Sequence, residues 1–120
     1  MVVQVLDSLQ GDFPGCETLA FADISTKMIL VTNSETSSPR EILDALCDEA
    51  ALTLGKRVQL TIGADKSTMA IVSGNEQMRV FLSASQEPSD VLCCVCKPDF
   101  DVTEFLPAAR ACLEQISSGA

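Results

Sequence analysis

Six consecutive apolar residues, Val91-Leu92-Cys93-Cys94-Val95-Cys96, constrain this chain more than any other segment. Side chains alternate along a strand, and here both alternating faces are apolar. Such a strand must be covered on both sides. It therefore belongs in the middle of a sheet, and the rest of the chain has to supply its neighbours and its two covers.

The remaining periodicities supply them. Val2, Val5, Leu6 and Leu9 recur at helical spacing and predict a helix over 2–10 that Gly11 closes, before the turn formers Asp12 to Gly15. Runs from Glu17 to Asp23 and from Met28 to Asn33 read as two antiparallel strands joined across the polar segment Asp23 to Lys27. Ser38-Pro39-Arg40-Glu41 is a helix start: the serine hydroxyl can accept an orphan N–H, proline suits the first position, and the glutamate completes a capping box. Ile42, Leu43, Leu46, Cys47, Ala50 and Leu54 then form an apolar stripe, with Gly55 and Lys56-Arg57 as the expected stop. Residues 58–62 read either as a strand or as an extended connector. Thr68 to Ser73 and Gln77 to Ala84 form a second hairpin around Gly74-Asn75-Glu76. After the central strand, Asp101 and Glu104 offer a cap. Pro107 predicts a short turn from Val102 and a regular helix from about Leu106 or Pro107 to Ser117. The expected order is α-β-β-α-β-β-β-α: one α/β (α+β) domain over 1–120 with an antiparallel sheet, and no internal repeat.

Composition excludes several functions. A formal charge of −9, from 17 acidic and 8 basic residues, repels phosphate backbones and anionic lipid. No apolar run approaches the roughly 18 residues of a membrane span, and the amino terminus lacks the pattern of a secretory signal, so a cytoplasmic location without membrane insertion is expected. The sequence has no histidine, which removes the commonest general base and imidazole ligand. Scattered glycines make neither a phosphate loop nor a dinucleotide fingerprint, and without Trp or Tyr there is little surface on which to stack bases. No catalytic residue, cofactor site or metal site is assigned.

The six cysteines are read as reduced. Cys94 and Cys96 share one strand face and Cys93 points to the other, without zinc-knuckle spacing, so all three read as small buried hydrophobes, the rival reading being a thiol-based metal or redox site at Cys94 and Cys96. Cys16, Cys47 and Cys112 take the same reading. The acidic groups Asp99, Asp101 and Glu104, and Asp44, Asp48 and Glu49, read as capping and as a solvated helix face. Met28, Met69 and Met78 read as core filler.

Leu19-Ala20-Phe21-Ala22-Asp23 followed by Met28-Ile29-Leu30-Val31, Met69-Ala70-Ile71-Val72 with Met78-Arg79-Val80-Phe81-Leu82, and Val91 to Val95 before a final amphipathic helix together resemble the roadblock (dynein light chain) family, of the profilin-like class. The glycine often found in that family's first hairpin turn is replaced here by Ser25-Thr26-Lys27. The resemblance implies a five-stranded antiparallel sheet with the capped helix on one face and the terminal helices on the other. It also implies a homodimer built by the edge strand Thr68 to Ser73 and the helix from Arg40 to Leu54. On this chain the implied contacts fall on Ala45, Glu49, Leu52, Thr68, Met69, Ala70, Ile71 and Val72. Ala45 and Ala51 are small enough for two helices to approach, and an edge bearing Met69 to Val72 without a charged or proline guard is an open template for pairing. The expected function is thus a non-enzymatic adaptor whose implied partners are a second copy and a small Ras-like GTPase or other protein, with no nucleic acid. The alternative is a profilin-like small-molecule sensor or small enzyme with a pocket between sheet and helix.

Overall fold

Local signals and sheet pairing meet in a computed structural model that describes residues 2–34, 39–60, 69–84, 87 and 89–117; residues 54–60 are described by backbone alone. The elements are α1 (Val2–Asp12), β1 (Cys16–Asp23), β2 (Met28–Thr32), α2 (Arg40–Leu60), β3 (Met69–Ser73), β4 (Met78–Ser83), β5 (Asp90–Cys96) and α3 (Val102–Ser117). The five strands form one antiparallel sheet in the order β2-β1-β5-β4-β3, so the doubly apolar strand is central, as its composition requires.

Alternation along β5 divides the core. Leu92, Cys94 and Cys96 join Leu19, Phe21, Val80 and Leu82 beneath α1 and α3, which contribute Leu6, Leu9, Phe105, Ala109, Leu113 and Ile116. Val91, Cys93 and Val95 join Ala20, Ala22, Ala70 and Phe81 beneath α2, which contributes Leu43, Leu46, Cys47 and Ala50. Small residues dominate the second face, so one helix lies close to the sheet there, while the larger side chains of the first face fill the space beneath two.

Polar groups fix the element ends. Asp101 Oδ1 accepts the Thr103 N–H at 2.9 Å and caps α3, which holds the Asp101 carboxyl below its ordinary pKa. Asp7 on α1 accepts both the N–H and the hydroxyl of Ser34, at 2.7 and 2.6 Å, tying the exit of β2 to the first helix. Buried Asn33 exchanges bonds with Leu19, donating its N–H to the Leu19 carbonyl and accepting the Leu19 N–H on Oδ1, each at 3.0 Å. The capping hydroxyl expected from Ser38 lies outside the described residues, but the Pro39 carbonyl accepts from Ile42 and Leu43 and opens α2.

Several boundaries differ from the sequence reading. Helix α1 runs through Gly11, which is exposed, and closes with Phe13 N–H donating to the Leu9 carbonyl. Gly55 likewise does not stop α2, and residues 58–60 are its last turn; a glycine weakens a helix interior by only about 1 kcal/mol relative to alanine. Residues 61 and 62 lie outside the described residues. Helix α3 is continuous from Val102, with Pro107 inside it. Pro107 and Thr103 are both exposed, so the carbonyl that proline leaves unbonded faces water, and buried Phe105 and Ala109 hold the helix on either side. Met28 and Met69 are exposed and are not core filler; Met78 does pack against the core.

The first hairpin turns at Asp23, whose carboxylate accepts from the Ser25 hydroxyl and N–H at 2.6 and 2.9 Å. Lys27 then takes φ 58°, a left-handed conformation that glycine adopts without strain. Lys27→Gly is expected to stabilise the protein by about 1 kcal/mol, read as a higher urea midpoint with unchanged slope.

Candidate functional site

Helix α2 carries three faces. At 100° per residue Leu43, Leu46, Cys47 and Ala50 form the buried stripe, and Glu41, Asp44 and Asp48 form an exposed acidic one. Between them lies a third stripe, Ile42, Ala45, Glu49 and Leu52. Ile42 is 52% and Leu52 60% exposed, so the stripe is largely apolar and open. Spacing alone groups Ile42 with the buried residues, and the structure corrects this. Its position one residue before Leu43 turns it away from the sheet, and the spacing 42, 45, 49, 52 is the signal that separates the two stripes.

This open stripe overlooks the β4–β5 side of the sheet. A cleft of about 230 Å³ lies between them, lined by Ile42, Ala45, Leu46, Glu49, Gln77, Arg79 and Val95. Arg79 Nε stands 2.7 Å from Glu49 Oε1 across it, both side chains about 30% exposed. The contact is one of charge, since the Nε–H makes no hydrogen bond. With these charges spent on each other and a volume below the roughly 300–1,000 Å³ of ordinary ligand pockets, the cleft offers little to a small molecule. Sequence reasoning gives Arg79 no functional role, because its partner lies 30 residues away and only the fold brings the two together.

Strand β3 is at one edge of the sheet. Gly74 N–H donates to the Gln77 carbonyl at 2.9 Å, which makes 74 and 77 a hydrogen-bonded pair and fixes the alternation. From the register Val72↔Arg79 and Ala70↔Phe81, residues 72 and 70 bond inward to β4. The N–H and carbonyl groups of Met69, Ile71 and Ser73 point outward, and no described strand pairs with them.

Of the implied contact residues, Ala45 and Leu52 are exposed on α2 and Glu49 is half-buried in its ion pair. Met69 is 38% exposed at the start of β3, and Ile71 and Val72 are half-buried on opposite faces. Ala70 is buried under α2 and offers only backbone to the edge. Thr68 lies outside the described residues. Ala51 is half-buried.

The cysteines divide as alternation requires: Cys16, Cys94 and Cys96 are on the α1/α3 face, Cys47 and Cys93 on the α2 face. Burial pushes the Cys93 and Cys94 thiols up. Among the described residues no group of three or more His, Cys, Asp or Glu side chains is placed to hold a metal ion. No helix among them is long and apolar enough to cross a membrane.

No family model matches the sequence, and no curated protein matches it. Solved structures do. The gliding protein MglB of Thermus thermophilus is 16% identical with a TM-score of 0.77, over 99% of this chain and 90% of that one. A roadblock/LC7 domain from Streptomyces avermitilis is 9% identical with a TM-score of 0.75, over 97% and 94%. An MglB in a tetrameric arrangement is 13% identical with a TM-score of 0.72, over 98% and 85%. The architecture of this chain is that of the roadblock/LC7 domain.

Proposed function

We propose, on the premise that the chain has the roadblock/LC7 fold, that it is a non-enzymatic adaptor pairing with a second copy through the β3 edge and the open stripe of α2. The composite surface then binds a protein partner, for which the roadblock resemblance implies a small Ras-like GTPase. One observation carries the pairing: an unguarded strand edge with outward backbone groups at Met69, Ile71 and Ser73 lies on the side of the sheet overlooked by an exposed apolar stripe with Ile42 and Leu52. An edge strand supplies main-chain bonds, and an apolar helix face supplies the burial that gives such bonds affinity. The MglB solved in a tetrameric arrangement supports assembly as a property of this architecture.

The test is the solution mass by light scattering on a sizing column with reductant present. A mass twice the 12.8 kDa of the chain is expected. A monomer at concentrations of tens of micromolar would sink the homodimer and with it the composite surface.

A further inference from the structure

Three of the six cysteines meet at one end of the sheet, and their arrangement is not that of scattered apolar filler. Cys16 opens β1 and Cys96 ends β5, and the two are direct cross-strand partners. Lys97 N–H donates to the Gly15 carbonyl at 3.0 Å, so the flanking residues carry the hydrogen bond. Cys16 and Cys96 are therefore a non-hydrogen-bonded pair, the closer type, in which Cα atoms stand about 4.5 Å apart. That separation falls inside the roughly 4.4–6.8 Å window of disulfides. Both side chains belong to the α1/α3 core, as does that of Cys94. A register shift between Cys16 and Thr18 loosens β1 at this point, and the Cys16 thiol also donates to the Thr18 carbonyl at 3.6 Å. The other cysteines are not cross-strand partners: Cys47 on α2 and Cys93 on β5 share the opposite core, and Cys112 lies half-buried on α3.

We propose that Cys16 and Cys96 are a cross-strand disulfide site that a small-molecule disulfide such as oxidised glutathione closes. The Cys96 thiolate attacks one sulfur of the oxidant, forming a mixed disulfide and releasing one thiolate. The Cys16 thiolate then attacks Cys96 Sγ and releases the second. Two electrons pass from the cysteine pair to the oxidant, and the two thiol protons end on the released thiols. Hydrogen bonding to Cys94 raises the Cys16 thiol, and hydrogen bonding to Cys16 raises that of Cys96, with burial adding to both. Closure thus waits on opening of this sheet end, where Lys97 to Asp99 are exposed, and is slow. The bond joins the start of β1 to the end of β5, so it staples the centre of the sheet independently of any pairing at the β3 edge.

The experiment exposes the reduced full chain to excess oxidised glutathione under native conditions. The protein is then alkylated in denaturant and its peptides mapped without reduction. A linked peptide joining Cys16 to Cys96 is expected, formed over hours, reversed by dithiothreitol, lost in Cys16→Ala and retained in Cys94→Ala. The oxidised chain is expected to unfold at higher urea than the reduced one. If Cys16 and Cys96 are both recovered alkylated, if the bond joins Cys94 in place of Cys96, or if linkage needs urea, the proposal is overturned. Mapping of the unaltered chain decides the matter even where a variant fails to fold.

Discussion

Phe105→Ala is expected to lower the unfolding free energy by about 3–5 kcal/mol, the range for removing a fully buried aromatic side chain. Phe105 has no exposure and lies at the contact of α3 with the sheet. Its ring meets Phe13 and Phe100 edge-on, with centroids 5.3 and 5.2 Å apart, and those two meet each other at 6.4 Å. Phe100 in turn covers Gly15, where an added Cβ would come within 2.6 Å of the ring. Truncating Phe105 therefore opens a cavity and also removes the support of two rings that close the α1–β1 turn. Phe81→Ala is the comparison: Phe81 is equally buried, on the α2 face, outside the aromatic triad. Each aromatic pair adds about 0.5–1.5 kcal/mol beyond area. Urea unfolding should thus show the larger loss at Phe105. A loss below about 2 kcal/mol there would mean that α1 and α3 collapse into the space.

Which parts of this fold were legible in the sequence follows from what each signal measures. The run from Val91 to Cys96 records burial on both faces, and that burial holds wherever the neighbouring strands come from; the strand is central and splits its cysteines between two cores. Asp101 reads correctly because a cap acts within two residues. Gly55 and Pro107 mislead because each is only a local cost, about 1 kcal/mol for the glycine and about 3 kcal/mol for the proline, and the packing on either side of Pro107 outweighs it. Ile42 misleads differently: apolarity predicts burial within one chain, but the same residue type suits a surface awaiting a partner. The candidate site is the least legible part. The meeting of Glu49 with Arg79, and the choice of β3 for the edge on the side of the open α2 stripe, depend on strand order, which no local pattern encodes.

Proline substitutions on β3 separate the edge from the ladder. Ile71 directs its N–H away from β4, so Ile71→Pro removes a donor that the described protomer does not use. Val72 directs its N–H into the β3–β4 ladder, so Val72→Pro breaks an internal bond. If two copies pair antiparallel about a two-fold axis, the outward N–H of Ile71 is lost twice, at about 0.5–1.5 kcal/mol each, and two rings are pressed into the joint. A total of about 3 kcal/mol weakens dimerisation roughly 100-fold. Ile71→Pro is therefore expected to run as a folded monomer at micromolar concentration, with a modest loss of stability from its half-buried side chain. Val72→Pro is expected to lose stability first and to dimerise only as far as it folds. Sedimentation velocity paired with circular dichroism reads both quantities. An Ile71→Pro protein that remained a dimer would move the interface away from this edge, leaving the α2 stripe or β2, where Met28 and Leu30 are also exposed, as the surface in use.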